Sequence, residues 1–227
     1  MAESATRTVS RALDLLAAVC DAGGTNLAEA ARTTDLSSST ALRLLRTLES
    51  SGFVRRDPAG SFRPGLRLVQ LGAQALSSES LVSLAETPLR RLVEATGESC
   101  YLSVPHLQGT EQEQCIYLAM EEGTHSIRHA SWVGRSFPLA GSAAGAALSG
   151  AVGEEGYAVV GQAVESDVTA VAAPIAIPAT ADSDPQIVAA LSVVAPSYRM
   201  TSDVVDRTGR LVAAEAEDIL QAHTIAA

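Results

Sequence analysis

Apolar residues recur every three or four positions near the start of the chain, with Val9, Leu13, Leu16 and Cys20 on one helical stripe. They predict a helix from about Ser10 to Cys20, ended by "DAGG". Leu27, Ala30 and Ala31 mark the inward side of a second helix, which stops near Thr34. Asn26 is placed to cap it, with Glu29 three residues on as in a capping box. Ser37 caps a third helix that runs to about Ser50, before Gly52. Ala41, Leu45 and Leu48 lie on one side of it, flanked by Leu42 and Leu44. Then the pattern changes. Phe53 to Arg56 and Ser61 to Arg63 read as short strands around "DPAG", a type I turn with Pro58 second and Gly60 fourth. "GLRLVQLGAQAL" returns to helical spacing at Leu68, Leu71 and Leu76.

Further on, Thr87 and Pro88 form an N-cap and first-turn pair, predicting a helix from there to about Thr96, stopped by Gly97. "CYLSVP", "QCIYLAM" and "HSIRHASW" read as strands, and a small-residue helix spans about Gly141 to Ser149. Two more strands, "TAVAAPIAI" and "IVAALSVVA", are joined by the polar connection "ATADSDPQ". A last helix, about Ser202 to Ala222, is amphipathic through Val205, Leu211 or Val212, and Ile219. The expected class is α+β. Residues 1–64 make a winged helix-turn-helix, 65–79 a linker helix, and 80–227 an α/β sensor domain of the GAF or PAS kind.

Charge sharpens the division. The chain has 227 residues and net charge −10, and all sixteen basic residues are arginine. Nine of these arginines fall in the first 70 residues, against seven acids there, so the excess of acid belongs to the rest. A less acidic front end in an acidic protein suits an anionic partner. The third helix shows how. Ser39, Arg43, Arg46 and Ser50 recur at i, i+4, i+7 and i+11, away from its apolar side. Ser38, Ser39 and Thr40 bring short hydroxyls to its first turn, where they can reach phosphates or base edges. Arginine can clamp a phosphate or make a bidentate contact to guanine. Arg55, Arg56 and Arg63 on the hairpin add flanking cations. Three helices and an arginine-bearing wing point to double-stranded DNA.

The remaining chemistry is sparse. Cys20, Cys100 and Cys115 are odd in number and widely spaced, which fits a reducing cytoplasm rather than a disulfide framework. His125 and His129 are four apart, but no acid or Cys completes a metal set. No catalytic pair, phosphate loop or cofactor motif is apparent. Residues 136–153 carry no charge but are too rich in Gly, Ser and Ala for a membrane span. There "PLAGSAAGAAL" leaves room for a ligand. Amides around Gly141, Ser142, Ala143 and Ala144 suit a carboxylate, and the Ser192 hydroxyl, within an apolar strand, can point into the same space. Close helix-on-sheet packing accounts for the same residues equally well.

The segments "VSRALDLLAAV" and "NLAEAARTTDLSSSTALRLLRTLESSGFVRRDPAGSFRPGLRLVQLG" resemble the winged helix-turn-helix of the IclR family of bacterial transcriptional regulators. "LRRLVEATGESCYLSV", "VGRSFPLAGSAAGAALSG", "GYAVVGQAVESDVTAVAAPIAI" and "VAALSVVAP" are similar to the family's effector-binding domain, so the resemblance spans nearly the whole chain. It implies a repressor with a DNA operator and a small-molecule effector held near Gly141 to Ala144, Pro174 and Ser192. The chain departs from the family where only "AVGEE" separates "GAALSG" from "GYAV", a connection that usually holds a longer helical segment. Ala146, Ala163 and Asp167 stand where family members often have Lys, Glu and Gly.

Two functions follow. One is a homodimeric or homotetrameric transcription factor whose operator affinity responds to a metabolite. In the other, the C-terminal domain only oligomerises or contacts proteins. The expected effector is small and anionic or polar.

Overall fold

The computed structural model describes residues 6–77, 80–106, 114–130, 132–162, 164–177 and 186–226. The chain divides into two compact units, Met1–Glu79 and Ser80–Ala227.

In the first unit the helices are α1 (Arg7–Asp21), α2 (Leu27–Thr33) and α3 (Ser38–Ser50). They precede the antiparallel hairpin β1 (Val54–Arg56) and β2 (Phe62–Pro64), then α4 (Leu66–Ser77). Local chemistry sets the helix starts. The Glu29 amide donates to Asn26 Oδ1 at 2.9 Å, and the Thr40 amide to Ser37 Oγ at 3.3 Å. Between α2 and α3, Asp35 takes φ 51°, a left-handed value that its short polar side chain tolerates. There the Leu36 amide reaches back to the Ala31 carbonyl at 2.9 Å and closes the turn.

The core of this unit joins Leu15 and Val19 of α1, Ala30 and Ala31 of α2, Ala41, Leu44 and Leu45 of α3, and Val54 and Phe62 of the hairpin. The sequence stripe on α1 therefore needs correcting. Leu15 and Val19 are fully buried, while Val9 is 55% and Leu13 58% exposed and Cys20 is exposed too. The helix is apolar on two sides, and the spacing alone did not say which one the domain would cover.

In the second unit α5 (Ser80–Thr96) leads into β3 (Ser99–His106) and β4 (Gln114–Glu121). Then come β5 (Ser136–Pro138), α6 (Ala143–Leu148), β6 (Ala158–Gly161), β7 (Val168–Ile177), β8 (Gln186–Pro196) and α7 (Ser202–Ala226). The strands form one antiparallel sheet in the order β5-β4-β3-β8-β7-β6. The fold is α+β, a helix-turn-helix unit followed by an α/β unit. Pleating sends Cys100, Leu102, Leu191 and Val193 to one face, under α5 and α7. Tyr101, Tyr117, Ala172 and Ser192 stand on the other, where α6 packs.

Three expectations change here. Pro88 lies inside α5 rather than starting a helix. A proline costs a helix one amide donor, but Ala85, Leu89, Leu92 and Val93 bury the same stripe on both sides of it, and that packing carries the helix through. The segment 125–130 is an irregular loop, not a strand. Its alternation is real, but side chains from elsewhere hold it: Ser99 Oγ donates to the His129 carbonyl at 3.0 Å, and Arg199 to the Ile127 carbonyl at 2.7 Å. Finally, β5 and β6 are short edge strands that the sequence pattern did not disclose.

Candidate nucleic-acid interface and ligand cavity

On α3, Ala41, Leu44 and Leu45 face the core, which turns Ser38, Ser39, Arg43 and Arg46 to solvent, with Thr40 half-buried. The Ser37 hydroxyl bonds Thr40 Oγ1 at 2.9 Å and lies 3.2 Å from Ser39 Oγ, so the first turn carries a linked hydroxyl cluster. The guanidinium groups of Arg43, Arg46 and Arg55 make no ion pair with a described residue. They are free cations on an otherwise acidic molecule.

The other two wing arginines are engaged. Arg56 lies over the Phe62 ring, 4.8 Å from its centroid. Arg63 donates through Nε to Asp57 Oδ2 at 2.8 Å and through a terminal nitrogen to the Gly23 carbonyl at 3.1 Å. Asp57 also accepts the amides of Ala59 and Ser61 at 3.0 and 2.9 Å, and Gly60, at φ 84°, completes the turn. The hydrogen bond from Arg63, helped by these amides, holds the Asp57 carboxyl below its ordinary range. Thr25 and Phe62 exchange two backbone hydrogen bonds at 2.8 Å, tying the hairpin to the loop after α1.

The second site is a hollow under α6 with about 470 Å³ of empty space, its open mouth included. Ser142, Ala143, Ala144 and Ser192 line it; Gly141 and Pro174 do not. Pro174 pairs with Ala190, two positions along β7 from the Ala172 beside Ser192. Ser142 is occupied as the α6 cap, donating to the Leu139 carbonyl and accepting the Gly145 amide, each at 3.0 Å. Ser192 is 1% exposed, and its hydroxyl has no partner.

The rest of the lining follows no periodicity along the chain. Tyr117, His129, Trp132 and Phe137 form an aromatic wall, and Val160, Val164, Val168, Ala170 and Val194 also line the hollow. Tyr117 stacks on Phe137 with centroids 4.4 Å apart, and His129 lies 5.3 Å from Trp132. Burial pushes the Tyr117 phenol well above its ordinary pKa, so it stays protonated. Behind the wall, the Tyr101 hydroxyl is 2.6 Å from both His129 Nδ1 and the Ala130 carbonyl, and His129 Nε2 is 3.2 Å from Glu165. A signal was available. The chain has eight aromatic residues (three Phe, four Tyr, one Trp), and four of them, Tyr101, Tyr117, Trp132 and Phe137, fall within 37 positions. Ala163 and the 178–185 connection lie outside the described residues, as does Ser131. The described residues contain no cluster able to hold a metal ion and no helix long and apolar enough to cross a membrane.

A helix-turn-helix with a braced wing is followed by an α/β unit with a lined hollow, the two-part layout of a DNA-binding regulator. Residues 8–58 match the IclR helix-turn-helix domain, and residues 73–155 match the bacterial transcriptional regulator IclR C-terminal domain. The chain belongs to the IclR family. It is 30% identical to the transcriptional repressor IclR of Escherichia coli (strain K12) over 151 residues, 66% of this chain and 54% of that protein. The chain thus spans about half the length of the curated relatives it matches most strongly. The transcriptional repressor AllR of the same strain aligns more fully, at 25% identity over 98% of this chain and 94% of its own. An IclR regulator from Alicyclobacillus acidocaldarius shares the fold with a TM-score of 0.78 and 21% identity, over 95% of this chain and 98% of that one. So does an IclR homologue from Microbacterium hydrocarbonoxydans complexed with 4-hydroxybenzoate, with a TM-score of 0.72 and 22% identity over 95% and 99%.

Proposed function

We propose that the chain is a cytoplasmic operator-binding repressor whose DNA affinity is set by a small molecule in the hollow under α6. The reading rests on the unpaired row of Arg43 and Arg46 beside the Ser38–Thr40 hydroxyls on α3, with Arg55 on the wing. Unpaired arginines lose no internal partner when they meet DNA. The recognition helix enters the major groove, and the wing follows the adjacent backbone.

For the effector, the support is the orphaned Ser192 hydroxyl in a lined hollow. A family member of the same fold is complexed with a small aromatic acid. The helix α4 then serves as the linker, with residues 1–64 before it and 80–227 after it.

The repressor acts as a homodimer or homotetramer. One recognition helix covers few base pairs, and two-fold symmetry reads two half-sites. Val9 and Leu13 on α1, with Leu66 (79% exposed) and Val69 (64%) on α4, offer apolar surface for a second copy. Mapping the binding sites across the source genome, followed by anisotropy titration of the recovered site, tests the whole reading. A shared palindromic motif bound in a salt-dependent way supports it, whereas no enriched site would end it.

A further inference from the structure

Taking the hollow under α6 as the ligand site, we infer that its ligand is an uncharged, flat aromatic or heteroaromatic molecule carrying a hydrogen-bonding group for Ser192, and not a carboxylate.

Three observations on the lining carry this. The first is shape: Tyr117, Trp132, Phe137 and His129 supply flat ring surfaces, and valines complete an apolar lining. The second is charge: no arginine lines the hollow, and the chain has no lysine. Arg135 rests over the Trp132 ring at 5.6 Å and is not part of the lining. His129 and Glu165, also in the lining, are already joined at 3.2 Å.

Hydrogen bonds already occupy that pair. The Tyr101 hydroxyl has one proton and two acceptors within 2.6 Å, the Ala130 carbonyl and His129 Nδ1. A carbonyl can only accept, so the phenol donates there and Nδ1 donates to the phenol oxygen. On its other side Nε2 faces Glu165 at 3.2 Å, so that contact is filled as well. Neither group is left free to take up an incoming charge. A buried ligand carboxylate would meet no spare cation to offset its desolvation.

The third observation is the orphan. Ser192 Oγ is buried without a partner, while Ser142, the other lining serine, is spent on its cap. A hydroxyl or amide on the ligand satisfies Ser192, and an apolar ring alone leaves it unpaired.

The test uses two probes of one shape, 4-hydroxybenzamide and 4-hydroxybenzoate, on the full chain at neutral pH. Calorimetry gives the affinities. Trp132 is the sole tryptophan, so its fluorescence reports on the hollow alone. The amide should bind and shift Trp132 emission, with the acid about tenfold or more weaker. Glu165→Gln should narrow that gap by improving the acid, and Ser192→Ala should weaken the amide about fivefold. 4-Hydroxybenzoate binding as tightly as the amide, with the Trp132 shift, would overturn the charge inference and leave the ligand site standing. If neither probe moves Trp132, or if both bind a folded Ser192→Leu variant unchanged, the ligand-site reading falls and takes this inference with it.

Discussion

Arg63 Nε donates to Asp57 Oδ2 at 2.8 Å, across the turn of the wing, while a terminal nitrogen of the same guanidinium holds the Gly23 carbonyl at the far side of the loop after α1. That residue was expected to meet DNA from its sequence position. Its geometry instead makes it a brace for the strand that carries it. Arg63→Ala should therefore lower the melting temperature of the N-terminal unit and weaken DNA binding evenly across sequences. If only DNA affinity falls and the melting temperature holds, Arg63 acts on the phosphate directly.

The same contact is sensitive to acid. Arg63 and the two turn amides lower the Asp57 pKa in the folded chain. Its contribution to stability is thus complete above the unfolded value of about 4 and is lost as pH falls through the lower folded value. Protection of the Ala59 and Ser61 amides, relative to their intrinsic exchange at each pH, should fall on acidification in the native chain. In Asp57→Asn the wing should exchange faster at neutral pH and lose that acid step. An identical acid profile in both chains would remove Asp57 from the account.

Arg43 and Arg55 should behave differently from each other. Arg43 stands on the exposed face of α3, so Arg43→Ala should cost about 1–3 kcal/mol at the operator and relax preference at one base pair. Arg55 lies on β1, where backbone contact is expected, so Arg55→Ala should weaken all sequences alike and reduce the salt slope by about one. Anisotropy titrations over a salt series with operator and scrambled duplexes separate the two. Equal effects on both duplexes for Arg43→Ala would place α3 on the backbone rather than on bases.

Sequence pattern served well where local chemistry decides the outcome. Asn26 and Ser37 cap the helices they were expected to cap, and "DPAG" makes its turn, because the partners lie within four residues. It served poorly where distant residues decide. Pro88 is overridden by packing on the sheet, and the 125–130 loop is held by Ser99 and Arg199. The cavity was half legible. Ser142 and Ser192 stood out as hydroxyls among small and apolar residues, but the aromatic wall comes from β4, β5 and an irregular loop, which no periodicity brings together.

The α1 stripe makes a prediction about assembly. Leu13 is 58% exposed, so a charge there adds little strain to an isolated chain. Leu13→Arg should leave far-UV dichroism unchanged yet shift light scattering toward the 23.4 kDa monomer, with weaker operator binding. A variant that keeps the native oligomer would move the self-association surface away from α1.

Tyr101 carries the last prediction. Its ring is fully buried, and its hydroxyl is the only side-chain group seen to engage both the Ala130 carbonyl and His129 Nδ1 among the described residues. Tyr101→Phe keeps the ring against Tyr117, 4.3 Å away, and deletes only the oxygen. Two polar groups then lose their partner, which should cost about 1–3 kcal/mol. Because Ser99 still holds the His129 carbonyl, the loop should loosen around Ala130 and Trp132 rather than detach. Chemical denaturation should show the loss with an unchanged m-value, and the Trp132 emission of the folded chain should move to the red as water enters. A variant as stable as the native chain, with unmoved Trp132 emission, would mean that this hydroxyl does not hold the wall of the hollow in place.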